Sequence, residues 1–304
     1  MYLGIDFLIA GDGTPFVSEV NIGLPGGAFE YDVASRLTYG RSSGIYDRID
    51  EICRQNYGKI FSDYITGTPW FEEHRKFKIW LDRKGPLPKN LYPLFRLEDK
   101  WVQYEILKEK FNLPYSEIYT GKAEQVEKMI GRFGKAALKR RAGRWSKGFR
   151  AIAGIADLPL LENELPEEYI CSQFITSKIS DYLFSVRVNV FEDEFLCLSG
   201  DLTPSYQSKW RFIVAVEEGK SLQLRDEHFE TVDVCEPAWE GQVWCKDMEI
   251  PEHMKLNLTN DMAALTIAYL TKETIEDIKE TSLKIGKFYD SLDPETLPKA
   301  FFEK

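Results

Sequence analysis

The chain has 304 residues, 43% of them hydrophobic and 29% charged, enough apolar material for about two packed domains and too much for a disordered polypeptide. Its net charge of -10 argues against a partner held through phosphate contacts, so nucleic acid is excluded as an expected partner. No apolar run reaches the length of a membrane span and no basic stretch with an apolar signal core opens the chain, which predicts a cytoplasmic protein without a membrane partner. Five widely spaced cysteines without a Cys-x-x-Cys pair indicate neither a disulfide framework nor structural zinc, and three scattered histidines make a histidine-centred hydrolase a weak idea.

Residues 3–9 and 16–20 are apolar runs of strand composition separated by Gly11-Asp12-Gly13, which predicts a hairpin. With Asp12-Gly13 as a two-residue turn, Gly11 opposes Thr14, and counting outward sets Asp6 opposite Glu19. Glu19 and Asn21 share one face of their strand, and Asp6 meets them there across the ladder. Opposed carboxylates repel. A Mg²⁺ ion, which takes oxygen ligands from one or two carboxylates and leaves its other positions to water and phosphate, would offset the repulsion. Behind Asn21, the glycines of Gly23-Leu24-Pro25-Gly26-Gly27 offer backbone N–H groups to an anion. The plainer alternative is an acidic hairpin on a solvated edge with a Gly-rich loop after it.

Ile45, Ile49 and Ile52 are spaced for one helical face, residues 59–65 read as a short strand, and Pro86 and Pro88 suggest a connecting stretch. Residues 97–111 form an amphipathic helix with Leu97, Trp101, Tyr104, Leu107 and Phe111 on one face; a second helix over 123–133 turns Ala123, Val126, Ile130 and Phe133 inward. Between Gly131 and Ala156 stand Arg132, Lys135, Lys139, Arg140, Arg141, Arg144, Lys147 and Arg150 with no acid among them, an asymmetry that marks an anion site in an acidic chain. Residues 136–140 read as a strand and 141–149 as a loop. A nuclear-localisation-like run or a plain basic face is the alternative. Residues 169–175 form a buried strand, and 182–191 alternate Phe184, Val186, Val188 and Val190 against Ser185, Arg187 and Asn189. Glu192-Asp193-Glu194 turns the chain into a strand over 195–198, and Arg211 begins another; residues 222–252 carry no pattern. Helices over 260–270 and 271–292 close the chain, the latter with Ile275, Ile278, Ile285 and Tyr289 on its face.

Gly4-Ile5-Asp6, Glu19-Val20-Asn21 and Pro25-Gly26 together resemble the metal-binding end of the ATP-grasp superfamily, especially its D-alanine–D-alanine ligase and glutathione synthetase branches. Asp99-Lys100, a helix and then Asn112-Leu113-Pro114-Tyr115 are similar to the start of the family's ATP-binding domain. Lys139 and Gly148 resemble its phosphate-contacting strand lysine and the last glycine of its phosphate loop, with Arg140 where a proline is usual and Trp145 where a small residue is. The resemblance implies an α+β fold in which two subdomains clamp ATP. It implies ATP phosphates on Lys100, Lys139, Lys147 and Gly148, adenine near Gln173 and Phe174, and ribose at Asp181. It further implies Mg²⁺ on Asp6, Glu19 and Asn21, charge stabilisation by Arg187 and Arg211, and a substrate carboxylate on Gly26 and Gly27.

In the family the metal-binding hairpin comes late, after a helix resembling 271–292; here it comes first, which implies a circular permutation. The divisions expected are 1–32, the metal-binding hairpin; 33–96, a small substrate-side domain; 97–172, the lysine and loop subdomain; and 173–304, the remainder of the second subdomain. The implied activity is an ADP-forming ligase that joins small-molecule carboxylate and amine substrates through an acyl phosphate, with a homodimeric state left open. A small-molecule kinase on the same fold and a non-catalytic ATP-binding module are the alternatives.

Overall fold

In the computed structural model, residues 1–23, 25–28, 31–32, 42–68, 71, 73–74, 76–77, 80, 92–143, 148–159, 164–179, 182–203, 212–215, 232–234, 244–246 and 270–303 are described. They form a mixed α and β fold around two antiparallel sheets. The larger sheet runs β10-β9-β8-β1-β2, with β7 also on β8: β1 is Tyr2–Ile9, β2 Pro15–Ile22, β7 Lys178–Ile179, β8 Tyr182–Phe191, β9 Glu194–Thr203 and β10 Phe212–Ala215. The smaller runs β3-β6-β4-β5, from β3 Ser116–Ile118, β4 Ala136–Arg140, β5 Arg150–Ile152 and β6 Tyr169–Gln173. Val232–Val234 and Trp244–Lys246, β11 and β12, pair with each other. Among the described residues no helix is long and apolar enough to cross a membrane.

Period-two patterning decides the faces of the large sheet. Leu3, Ile5, Phe7 and Ile9 of β1, Val20 and Ile22 of β2, and Val186, Val188 and Val190 of β8 are buried against helix α5, Lys272–Asp290, which Thr271 caps through its side chain. Ile278, Ile285 and Tyr289 of that helix are fully covered, at about 1.5–3 kcal/mol of burial for a large apolar side chain. Helices α1, Ile45–Tyr57, and α2, Phe61–Thr66, pack on the opposite face around Tyr2, Phe191 and Cys197. Residues 61–66 are helical where a strand was expected from β-favouring Phe61, Tyr64 and Ile65. Docking of Phe61 and Tyr64 edge-on to Phe191 outweighs their local preference.

Helix α3 spans only Lys100–Leu107, because Pro93–Glu98 is a separate 3₁₀ turn and Asp99 begins a new helix by accepting from the Trp101 N–H. That break shifts the phase. Val102, Gln103 and Leu107 are buried, whereas the expected face leaned on Trp101 and Tyr104. Helix α4, Ala123–Phe133, packs Val126 and Met129 with Leu138 and Ile152 on one side of the small sheet, and Ile130 and Phe133 partly cover the same core. Residues 260–269 of the helix expected over 260–270 lie outside the described residues, and Leu270 is buried ahead of the Thr271 cap.

Candidate functional site

The hairpin pairs Asp6 with Glu19, by a route that differs from the simple turn count. Ala10 N–H donates to Thr14 O and Gly13, at φ 89°, closes a three-residue loop of Gly11, Asp12 and Gly13 rather than a two-residue turn. The ladder therefore starts with Ile9 opposite Pro15 and Phe7 opposite Val17. Ser18 is then an extra residue, a β-bulge, and past it Asp6 meets Glu19 and Gly4 meets Asn21. One polar row crosses the sheet as Glu19, Asp6, Arg187 and Ser199 on β2, β1, β8 and β9. The neighbouring row holds Asn21, Gly4 and Asn189.

Asp6 is tightly held within that row. Arg187 donates through Nε to Oδ1 at 2.6 Å and through Nη2 to Oδ2 at 2.7 Å, and Asn21 Nδ2 donates to Oδ2 at 3.2 Å. Glu19 turns the other way, to Lys100 Nζ at 3.0 Å. Among the described residues no three of His, Cys, Asp and Glu come together as a metal-holding group; the hairpin sets Glu19 opposite Asp6, with the Asn21 amide on the Asp6 carboxylate.

Lys139 stands on β4 opposite Ile170 of β6, on the sheet face away from the core of α4. Glu19, Lys100 and Lys139 line one narrow crevice, floored by Ser116 and Ser172, between the small sheet and the outer edge of β2. Loss of water around Lys139 pushes its ammonium down from 10.5 to about 8; neighbouring Glu19 acts against that fall and Lys100 adds to it. Two lysines against one carboxylate leave a positive excess facing the crevice, a setting that suits an anion.

Asp6, Asn21, Gly26, Gly27, Gly148, Gln173 and Phe174, also expected at the site, are not among the residues lining this crevice. Pro25 packs over Gly4, where an added Cβ would lie 2.5 Å from the proline Cβ, and Gly27, at φ 121°, lies against Asn189 and Arg187. Gly148, at φ 79°, sits on the stem of Arg140, which pairs with Glu164 at 2.9 Å. Gln173 spends its side-chain oxygen on Tyr115 N–H at 3.3 Å, and Phe174 lies beside Lys135, with the ammonium 5.8 Å from the ring centroid. Lys147, Asp181 and Arg211 lie outside the described residues.

Gln103 was not named from the sequence, and Asp99 and Arg141 were named only within the Asp99-Lys100 motif and the basic segment, not as partners of each other. Gln103 accepts from Val20 N–H at 2.9 Å and donates to Val20 O at 2.8 Å, so a side chain serves as the missing neighbour of edge strand β2 and fixes Lys100, one turn earlier on α3, beside Glu19. Asp99 and Arg141 form a buried bidentate pair at 2.9 and 2.6 Å, and Lys100 N–H donates to Arg141 O at 2.8 Å. Partners this distant in sequence leave no local signature; the adjacency of Asp99 to Lys100 was the only clue.

No protein-family model and no curated protein matches the chain. Among solved structures it is similar to the ATP-grasp ligase PsnB complexed with a phosphomimetic variant of minimal precursor, Mg and ADP, at 16% identity over 72% of this chain and 74% of that one, with a TM-score of 0.29. It is likewise similar to PsnB complexed with minimal precursor, at 16% identity over 70% of this chain and 75% of that one, with a TM-score of 0.29.

Proposed function

We propose that the chain is an ATP- and Mg²⁺-dependent ligase that joins a carboxylate to an amine or similar nucleophile. The observation that carries this reading is the convergence of Glu19, Lys100 and Lys139, from three separate segments, on one crevice. The motif resemblance around Asp6, Glu19, Asn21 and Gly26 adds to it. In this reading Lys100 and Lys139 hold phosphate oxygens, the loop with Lys147 and Gly148 closes over them, and Gln173, Phe174 and Asp181 meet the nucleoside. Mg²⁺ held by Glu19, Asp6 and Asn21 would neutralise charge as the terminal phosphoryl group moves. A substrate carboxylate oxygen attacks that phosphorus, ADP leaves, and the acyl phosphate is then attacked by the amine, releasing inorganic phosphate and a proton as the amide forms. Arg187 and Arg211 hold the oxyanion, and the Gly26-Gly27 turn holds a substrate carboxylate by its N–H groups.

We assign residues 1–32 and 173–304 to one subdomain, 97–172 to the other and 33–96 to the substrate side, an order that amounts to a circular permutation of the resembled family. The test is ADP release against amino acids, peptides and polyamines, with the product identified by mass spectrometry. An amide product is expected. A stable phosphate ester would make the protein a kinase, and nucleotide binding without ADP release would make it a binding module. Glu19→Ala is expected to abolish ATP turnover while leaving the thermal melt in place; turnover equal to wild type would overturn the metal assignment.

A further inference from the structure

A carboxylate oxygen that serves a Mg²⁺-sized cation gives it a lone pair at about 2.0–2.1 Å. Both oxygens of Asp6 already receive N–H groups, from Arg187 at 2.6 and 2.7 Å and from Asn21 at 3.2 Å. The planar fork of Arg187 covers the carboxylate edge and brings a full positive charge to it. Three of the roughly four lone-pair positions of Asp6 are thus taken, and a cation at the remaining one on Oδ1 would sit beside the guanidinium charge, so a cation and Arg187 compete for Asp6. The contest can be decided by a ligand because the pair is only partly covered, with Arg187 24% and Asp6 19% exposed. The backbone of Gly27 also lies against the stem of Arg187, close enough that a Cβ there would come within 2.9 Å of its Cδ.

Charge points the same way. Asp6 and Glu19 face Arg187, Lys100 and Lys139, so a divalent cation arriving alone deepens a positive excess, whereas a cation arriving with an oxyanion does not.

We propose that Arg187 is a latch on Asp6: an oxyanion substrate draws the guanidinium away, and only then does Asp6 serve the cation. The inference rests on the metal assignment proposed above. Its consequence is positive coupling between cation and oxyanion, equal in both directions.

The test follows Mn²⁺, an oxygen-preferring stand-in for Mg²⁺, by its free-ion paramagnetic resonance signal, together with ADP binding by calorimetry. Without nucleotide, Arg187→Gln is expected to bind Mn²⁺ roughly tenfold more tightly than wild type, and adding Asp6→Asn is expected to remove that gain. Arg187→Lys, which keeps the charge without the fork, should fall between, and it carries the comparison if Arg187→Gln does not fold. Binding of Mn²⁺ with ADP by wild type, but unchanged Mn²⁺ affinity in the Arg187 variants, would overturn the latch and leave the nucleotide reading standing. Absence of both Mn²⁺ and ADP binding in every protein would overturn the two together.

Discussion

Lys139 is the side chain on which chemistry and stability meet most directly. The unfolded chain holds its proton up to about 10.5 and the folded one only to about 8, so burial of this charge costs stability at every pH below about 8. Between those values the unfolded state binds the extra proton, and the cost is relieved as pH rises. In the proposed reading phosphate binding would run in the opposite sense, because it would need the ammonium that is lost above about 8. Lys139→Met is therefore expected to raise the urea midpoint at pH 7 and to lower ADP affinity by roughly tenfold or more. It should also flatten the fall in affinity expected of wild type between pH 7 and pH 9. Denaturant titrations and calorimetry at the two pH values check each part. The place of Lys139 on a strand was legible because the strand period there is clean. Asp6 and Glu19 were legible as partners, although the loop that joins their strands is one residue longer than its Asp-Gly signal suggests.

Among the elements, α3 and β2 depend on each other more than their sequences reveal. Gln103 is 5% exposed and donates to Leu97 O as well as exchanging both bonds with Val20, so it completes an edge strand and ties two helical segments together. Gln103→Leu keeps the volume and strands those backbone groups. At about 1–3 kcal/mol for an unsatisfied buried group, a total loss of about 2–4 kcal/mol is expected, read as a lower urea midpoint with an unchanged slope. A glutamine within a helix is ordinary by propensity, and nothing local distinguishes one that faces a strand edge from one that faces water. The same limit explains α2, where apolar residues of either period were available and tertiary docking made the choice.

In the molecule as a whole, the Asp99–Arg141 pair joins distant parts of the chain. Asp99 is fully buried; it starts α3, receives the Phe301 N–H at 3.1 Å from the far end of the chain, and is chelated by Arg141 as the chain leaves β4. Arg141 in turn donates from its backbone to Glu168 O at 2.8 Å, ahead of β6. Arg141→Met would leave a buried carboxylate without its counter-charge, and a loss of about 3–5 kcal/mol is expected in equilibrium unfolding. Asp99→Leu placed in the same chain should recover part of it, whereas a loss under about 1 kcal/mol for the single change would remove the pair from this role. Most individual strands and helices followed from apolar spacing, the mixed α and β plan came only as what the resemblance implied, and these buried polar ties followed from neither, since each joins residues that only the finished fold makes neighbours.

Ser18 shows what one surplus residue can accomplish. Cut it out on paper, and Val17 still answers Phe7, Glu19 still answers Asp6 and Asn21 still answers Gly4, now in an unbroken ladder. Cohesion of the two strands does not call for it. What it supplies is extra local twist, and with that the bearing of the Glu19 carboxylate, swung off the line of its own strand toward a lysine carried by a helix.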